Sequence, residues 1–368
     1  MKIAFDHQIF GWQEYGGISR YAFELASALH KHAEQEVAIF CPLSVNRYLE
    51  HAPAGLLRGG RRVPVFPKSG RIYRALNGWL AGPGMLRFKP DIVHETYYAG
   101  HGVSVPGARR ILTVYDMIHE RFPENFSPAD PTRREKSLAV ARADHVICIS
   151  EQTRRDLIEL LQVPHEKTSV VHLGFALTAS DQPAEPVQPR ERPYLLFVGS
   201  RGGYKNFQQL LKAFAQSTSL RSSLQLLCFG GGSFKPAELQ AIERVGLDSD
   251  AVAQVAGNDQ LLAHHYRHAR AFVYPSRYEG FGIPPLEAMS FDCPVACSNV
   301  SSIPEVVGDA AEMFDPDNID SIVAALERVA TDEPRRQALV EKGRERLKRF
   351  SWAACAEATL KVYQGVRN

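Results

Sequence analysis

The sequence predicts an α/β protein made of two domains, each with a mostly parallel sheet. Short apolar runs of β type alternate with helical or loop segments along the chain, which is typical of βαβ units. One polar stretch, residues 179–193, interrupts this alternation and contains four prolines, as an extended linker does. The 368 residues are enough for two domains that each bury a core.

Each half of the chain has its own set of predicted strands. In the first half a strand at the N-terminus is followed by strands at 37–41, 91–94, 110–115, 145–149 and 169–173. In the second half the strands lie at 194–198, 224–229, 252–256, 271–274 and 294–297. We therefore place an N-terminal domain at 1–178 and a second domain at 190–350, with a terminal helix within 352–368.

Composition excludes several classes of protein. Hydrophobic residues at 45% and charged residues at 23% are ordinary for a globular protein, and a net charge of +2 gives no reason to expect nucleic acid as a partner. No apolar run approaches the ~20 residues of a membrane span, and the N-terminus does not resemble a signal peptide. Cys41, Cys148 and Cys228 lie in strand-like runs, so we expect buried, reduced thiols and a cytoplasmic location.

Residues 275–290, P-S-R-Y-E-G-F-G-I-P-P-L-E-A-M-S, are the strongest candidate for a binding site. They follow a predicted strand. Gly280 and Gly282 then precede a helix that begins near Pro284 and Pro285. A glycine turn at a helix N-terminus presents amides and the positive end of the helix dipole to an anion. Glu279 and Glu287 bracket this turn, which suits a ligand that has both phosphate and hydroxyl groups. The alternative is a tight structural turn with a capping glutamate.

Two further glycine-rich loops are weaker candidates. The segment 199–206, G-S-R-G-G-Y-K-N, follows a predicted strand and offers Arg201 and Lys205 to a pyrophosphate, although both could be ordinary surface cations. Gly16 and Gly17 lie just before a predicted helix, either as a flexible turn or as a second approach of the backbone to phosphate. At the end of the 110–115 strand, Asp116 and His119 are either near a reacting centre or structural.

The stretch 58–89 concentrates positive charge. Residues 52–89 include no Asp or Glu but eight Arg or Lys residues, interleaved with apolar side chains such as Trp79. A solvated basic face is one explanation. Peripheral contact with an anionic membrane is the other.

The spacing Glu-x7-Glu, with G-F-G and P-P inside it, resembles the signature of retaining glycosyltransferases of family 4. That family has the GT-B architecture, in which two Rossmann-like domains face each other across a cleft and the C-terminal helix crosses back to the first domain. The resemblance continues in P-V-A at 294–296 and S-I-P-E-V at 302–306. It covers most of the chain and is strongest over 194–307.

The resemblance implies roles for the candidate residues. Glu279 would contact the donor sugar, Glu287 the ribose, and Lys205 the leaving diphosphate. Arg201 would assist Lys205, although it lies about one position from the usual place, which Ser200 occupies. Tyr115 stands where many family members have a histidine, so Asp116 or His119 would take that role. The remaining donor-binding residues that the resemblance implies are Gly16, Gly17, Gly199, Ser200, Gly280, Phe281, Gly282 and Ile283.

The N-terminal run D-H-Q-I-F…Y-G-G-I-S-R-Y is similar to bacterial O-antigen and exopolysaccharide transferases, which are often mannosyltransferases. This similarity implies transfer of mannose from GDP-mannose to a glycan or lipid-linked acceptor at the inner face of the plasma membrane. We expect no cofactor and no metal, since the resemblance is to the GT-B fold and not to the other glycosyltransferase fold, in which an Asp-x-Asp binds a metal. A nucleotide-sugar epimerase of the same architecture and a glycan- or nucleotide-binding protein without turnover are the alternatives.

Overall fold

The computed structural model describes residues 1–67, 69–175, 190, 192–248 and 250–367. The chain divides into two units, Met1–Gly174 with Phe350–Asn368, and Phe175–Arg349. Most of the predicted linker, 179–193, lies outside the described residues. Each unit contains one six-stranded sheet, and all strand pairs in both sheets are parallel.

The first sheet has the strand order β2-β1-β5-β6-β7-β8. Its strands are nearly continuous apolar runs because helices cover both faces of a parallel sheet. A separate pair of two-residue strands, β3 and β4, has no hydrophobic pattern, so the sequence did not predict it. The elements of this unit up to residue 174 are β1 Lys2–Phe5, α1 Gly17–His30, β2 Glu36–Ile39, β3 Leu43–Ser44, β4 Arg61–Arg62, α2 Ser69–Phe88, β5 Ile92–Glu95, β6 Arg109–Val114, α3 Ile118–Arg121, α4 Thr132–Arg142, β7 His145–Cys148, α5 Glu151–Leu161 and β8 Thr168–Val170.

The second sheet has the strand order β11-β10-β9-β12-β13-β14. Its core lies largely between the sheet and α6 with α12. The sequence predicted five of its strands within one or two residues. It missed β14, a three-residue strand that begins at Glu312. The elements of this unit are β9 Tyr194–Val198, α6 Phe207–Gln216, α7 Thr218–Ser223, β10 Gln225–Phe229, α8 Pro236–Arg244, β11 Val252–Val255, α9 Asp259–His268, β12 Ala271–Tyr274, α10 Ile283–Ser290, β13 Val295–Ser298, α11 Ile303–Val307, β14 Glu312–Phe314, α12 Ile319–Thr331 and α13 Glu333–Leu347.

The C-terminal helix α14, Trp352–Arg367, belongs to the first unit and packs against α1. A buried polar network attaches it to the sheet. His94 on β5 hydrogen-bonds to the Tyr363 hydroxyl through Nδ1 and to Thr113 Oγ1 through Nε2 at 2.8 Å. Tyr21 of α1 reaches the same Thr113 hydroxyl at 3.1 Å. Burial lowers the pKa of His94 to about 3, so the ring is neutral at pH 7.

The six cysteines are buried free thiols, as the sequence predicted for three of them. Among the described helices none has the length and hydropathy needed to cross a bilayer.

We expect Tyr363→Phe to lower the free energy of unfolding by about 1–3 kcal/mol, because it leaves a buried His94 nitrogen without its partner. Tyr15→Phe is the matched control, since Tyr15 is exposed. Denaturant unfolding monitored by circular dichroism measures both variants. A loss no larger than that of the control would contradict a stabilising role for this network.

The same histidine predicts a direction for the pH dependence of stability. Its pKa is about 3 in the folded protein and about 6.5 in the unfolded chain, so only the unfolded chain gains this proton as the pH falls below 6.5. Its contribution is therefore complete above pH 6.5 and is lost progressively towards pH 3. Replacing His94 with Gln should flatten the pH dependence of the unfolding free energy between pH 6.5 and 4. Parallel curves for the two proteins would contradict this.

Candidate functional site

Two loops of the second unit meet at the carboxyl edge of its sheet. One follows β9 and contains Gly199, a short 3-10 helix Gly203–Lys205, and Asn206, after which α6 begins. The other is the 275–282 turn, which follows β12 and precedes α10. Because β9 and β12 are hydrogen-bonded neighbours, both loops leave the sheet at the point where its strand order reverses. This is where open parallel sheets bind ligands.

The two loops are joined by an ion pair between Lys205 and Glu279. Lys205 Nζ lies 2.7 Å from Glu279 Oε1, and both side chains are mostly buried. The backbone adds a second link, since the Arg277 amide donates to the Tyr204 carbonyl at 2.8 Å. Burial and the neighbouring Glu279 charge raise the pKa of Tyr274, which lies beneath the pair at the end of β12. The cation and the carboxylate that the sequence singled out are therefore in direct contact.

Two serines hold the glycine turn from behind. The Ser301 hydroxyl accepts from the Glu279 amide at 3.2 Å and donates to the Glu279 carbonyl at 2.8 Å. The Ser302 hydroxyl is within 2.9 Å of both the Glu279 and the Phe281 carbonyl oxygens. These bonds fix the backbone that aims the Glu279 side chain. Sequence reasoning gave Ser302 no such role and missed Ser301.

The turn delivers the chain into α10 as predicted. Gly282 is the N-cap residue with φ 104°, in the left-handed region that favours glycine, and Ile283 starts the helix. Pro284 and Pro285 occupy the first turn, where a missing amide costs no helical hydrogen bond. The donors at this helix start are therefore the amides around Gly282 and Ile283.

Glu287 lies one turn into α10 and is partly exposed. The Tyr266 hydroxyl donates to Glu287 Oε2 at 3.3 Å. Tyr266 itself is fully buried on α9, where it stacks on Phe291. Burial, followed by the Glu287 charge, raises the pKa of this tyrosine, so it stays a hydrogen-bond donor. Sequence reasoning missed Tyr266, which reads as an ordinary core aromatic.

Arg201 has a different environment from the one expected. Its side chain is fully buried, and its guanidinium donates to the carbonyls of Gly230 at 2.9 Å and Gly232 at 2.8 Å and to Glu238 at 3.0 Å. Residues 230–232 are three consecutive glycines with positive φ, a conformation that these bonds stabilise. Arg201 thus holds the glycine loop in place, and its expected contact with a diphosphate stays a prediction. Ser200, beside Gly199, is exposed at the loop surface.

In the first unit, Asp116 follows β6 and is held by two groups. Its Oδ1 accepts from the Ile118 amide at 3.0 Å, and the Lys136 ammonium lies 3.8 Å from the same oxygen. Lys136 is fully buried and also donates to the Asp116 carbonyl and to Glu120, at 2.8 and 2.7 Å. The sequence gave no signal for this buried lysine, which sits on α4 among charged neighbours.

His119 lies on α3, near Asp116 and Lys136, whereas Gly16 and Gly17 lie at the start of α1. The His119 ring stacks on Phe126 with centroids 3.8 Å apart, and burial lowers its pKa. Gly16 caps α1, and a Cβ there would lie 2.2 Å from the Gln13 side chain, whereas Gly17 has open space around it. The contact of Gly16 and Gly17 with a diphosphate stays a prediction. Within the described residues no group of three or more His, Cys, Asp or Glu side chains could hold a metal ion.

Comparison with known proteins identifies the family. A family model described as Glycosyltransferase Family 4 matches residues 15–178, and one described as Glycosyl transferases group 1 matches residues 179–346. The O-antigen chain mannosyltransferase B of Escherichia coli is 30% identical over 95% of this chain and 96% of its own length. The chain belongs to glycosyltransferase family 4.

Two other comparisons place this glycosyltransferase more broadly. The serotype-specific mannosyltransferase WbdA of Escherichia coli is 29% identical over 74% of this chain, which matches 36% of the length of WbdA. Among solved structures, the sucrose-phosphate synthase from Thermosynechococcus elongatus has a TM-score of 0.74 at 20% identity and covers 99% of this chain and 98% of that one. The predicted GT-B fold class and the glycosyltransferase activity are thereby confirmed.

We expect Lys205→Ala to weaken nucleoside diphosphate binding by about 1.5–3 kcal/mol, the usual contribution of a charge-assisted hydrogen bond. Arg277→Ala is the matched control, because Arg277 is a cation of the neighbouring turn that pairs with Asp317 at the surface. Isothermal titration calorimetry on both variants measures the difference. Unchanged affinity in Lys205→Ala would exclude this lysine from the donor site.

The Lys205–Glu279 contact predicts a coupling between the two residues. If a phosphate must compete with Glu279 for Lys205, Glu279→Gln should tighten nucleoside diphosphate binding, and Lys205→Ala should cost more in the Gln background than in the wild type. The four proteins of this double-mutant cycle are compared by the same calorimetry. Strictly additive effects would show that Lys205 can bind a phosphate and Glu279 at the same time.

Proposed function

We propose that this glycosyltransferase transfers mannose from GDP-mannose to a glycan or lipid-linked acceptor in the synthesis of a bacterial surface polysaccharide, with retention of the anomeric configuration. The 30% identical relative is an O-antigen chain mannosyltransferase, which supports mannose as the sugar and surface polysaccharide synthesis as the process. The observation that carries the proposal is the Lys205–Glu279 pair beside the start of α10.

In this proposal the second unit binds the donor through four sets of groups. Lys205 and the amides of 280–283 take the diphosphate, Glu279 faces the sugar, and Glu287 binds the ribose hydroxyls. Departure of the diphosphate builds negative charge, which a cation placed in advance and a helix N-terminus stabilise without reorganisation. The sugar gains positive character at the same moment, and the Glu279 carboxylate favours it.

The acceptor side is assigned to the first unit. Asp116 is its best candidate for contact with an acceptor hydroxyl, because its carboxylate is oriented by the Ile118 amide and by buried Lys136. We assign Lys136 the role of holding Asp116 in place. Lys136→Met should then lower the rate constant for transfer and leave nucleoside diphosphate affinity unchanged. Equal losses in both quantities would indicate a general structural defect instead.

No cofactor or metal enters this proposal. Lys205 and the helix amides supply the positive charge that a divalent cation would otherwise provide. Transfer at an undiminished rate in the presence of a chelator is the expected result, and loss of activity that Mg²⁺ or Mn²⁺ restores would contradict it.

The donor is tested by calorimetry with GDP, UDP and ADP and their sugars, followed by transfer assays with a mannosyl acceptor and NMR of the product. We expect the tightest binding for GDP and GDP-mannose and a product of the same anomeric configuration as the donor. Preference for another base, or inversion, would contradict the proposal. Epimerisation of a nucleotide sugar without any acceptor would support the epimerase alternative.

The two glutamates should differ in a measurable way. Glu287→Ala should weaken free GDP, and Tyr266→Phe should do so to a smaller extent, because ribose is part of GDP. Both losses should vanish with a 2′,3′-dideoxy nucleotide. Glu279→Gln should instead lower single-turnover rates without weakening GDP, since contacts that strengthen in the transition state appear in the rate constant. Wild-type turnover in Glu279→Gln together with normal GDP binding in Glu287→Ala would refute the assignment.

The proposed location is the inner face of the plasma membrane, with peripheral contact through residues 58–89. In the structure two cations of this basic stretch form surface ion pairs: Arg58 lies 3.5 Å from Glu36, and Arg62 lies 2.6 Å from Glu50. Another part of the stretch, helix α2, offers a more specific surface for the contact.

A further inference from the structure

Helix α2 presents an exposed apolar stripe. At 100° per residue, its exposed large apolar side chains fall within about 120° of the helix circumference. These side chains are Ile72, Leu76, Trp79, Leu80 and Leu86. Trp79 is 87% exposed, and the other four are about half exposed.

The opposite side of α2 fixes this stripe in an outward orientation. Tyr73, Asn77, Ala81 and Met85 are buried against the first unit. The Asn77 side chain accepts from the Leu43 amide at 2.8 Å and donates to the Leu43 carbonyl at 2.7 Å. Because the inward face already has polar and apolar partners, the helix cannot roll to bury its apolar stripe.

The charge around the stripe has one sign. Helix α2 contains no Asp or Glu, and Arg71, Arg87 and Lys89 are exposed along or beside it. Within the described part of the chain, no carboxylate lies at ion-pair distance from these three. The other arginine of the helix, Arg74, is bound in a bidentate pair by Glu135 at 3.0 and 3.2 Å and faces the protein. Helix α2 therefore carries positive charge of its own next to the apolar stripe.

An apolar stripe with a protruding tryptophan and cationic flanks fits the interface of a lipid bilayer. Tryptophan favours the headgroup level, and arginine and lysine attract anionic lipids. A second copy of this chain fits less well, because a two-fold contact through α2 would bring the same cations together. A helix with this composition lies in the plane of the interface without spanning the bilayer.

We propose that α2 is an interfacial membrane-docking helix, which inserts Leu76, Trp79 and Leu80 among the headgroups of a bilayer that contains anionic lipid. This deepens the membrane contact of the proposed function and rests on it for its biological setting, though not on the donor or on the chemistry of transfer. Since apolar burial adds to the electrostatic attraction, high salt should weaken the binding and not abolish it.

The first test compares vesicle binding by wild type and by a variant with Leu76→Ser, Trp79→Ser and Leu80→Ser. We expect the wild type to cosediment with vesicles of phosphatidylcholine and phosphatidylglycerol, and the triple variant to bind at least tenfold more weakly. Leu138→Ser and Leu239→Ser are the matched controls, because these leucines are similarly exposed on α4 and α8. The controls should stay within twofold of the wild type.

A second comparison separates charge from apolar insertion. Arg71→Glu with Arg87→Glu should reduce binding to anionic vesicles severalfold, whereas the control Arg133→Glu with Arg134→Glu, on exposed positions of α4, should not. At about 1 M salt, where charges are screened beyond a few ångströms, we expect the wild type to keep measurable binding. Complete release by salt, with unchanged binding by the triple serine variant, would overturn the insertion of α2.

A third measurement reports how deeply Trp79 enters the bilayer. Brominated acyl chains should quench tryptophan fluorescence of the wild type, and Trp79→Phe should remove most of this quenching while preserving binding.

Equal sedimentation with and without vesicles would overturn the proposal. So would a dimer in lipid-free analytical ultracentrifugation that the triple serine variant dissociates, which would assign the stripe to a second copy. Transfer to a soluble acceptor should proceed normally in the triple variant, so failure of the membrane proposal and failure of the transferase assignment give different results.

Discussion

The direct pairing of β9 with β12 is the constraint on which the candidate site in the second unit of this glycosyltransferase depends. Leu195 and Leu196 are in register with Ala271 and Phe272, although more than seventy residues separate them. Parallel strands end on the same edge, so the loops that follow must meet there. Lys205 and Glu279 therefore come within 2.7 Å as a consequence of the sheet topology.

Buried polar groups then make these loops precise. Arg201 binds the carbonyls of the 230–232 glycine loop, two serines bind the 279–281 backbone, and Tyr266 binds Glu287. A buried donor or acceptor without a partner costs about 1–3 kcal/mol, so each of these groups resists a change in its loop. The candidate binding residues are few, and a larger set of buried partners determines where they point.

Burial also determines the geometry of two features of the first unit, the Lys136–Asp116 contact and helix α2. Buried Lys136 is tolerated because Glu120 and the Asp116 backbone and carboxylate surround it, and its charge in turn orients Asp116. Helix α2 shows the reverse situation. One of its faces is buried against the first unit. The other exposes apolar side chains to water, which is unfavourable, and insertion into a bilayer would remove this cost.

The sequence by itself determined the α/β class, ten of the strands after the first, the glycine turn into α10 and the choice of Glu279, Glu287 and Lys205. These follow from local rules, because apolar runs, glycine turns and prolines at helix starts act over a few residues. The tertiary structure alone decided that Lys205 pairs with Glu279, that Arg201 turns to the protein, and that Arg58 and Arg62 form surface ion pairs. Each of these depends on which distant residue lies opposite a side chain. Charge and spacing along one chain do not contain that information, because strand pairing and helix packing set it.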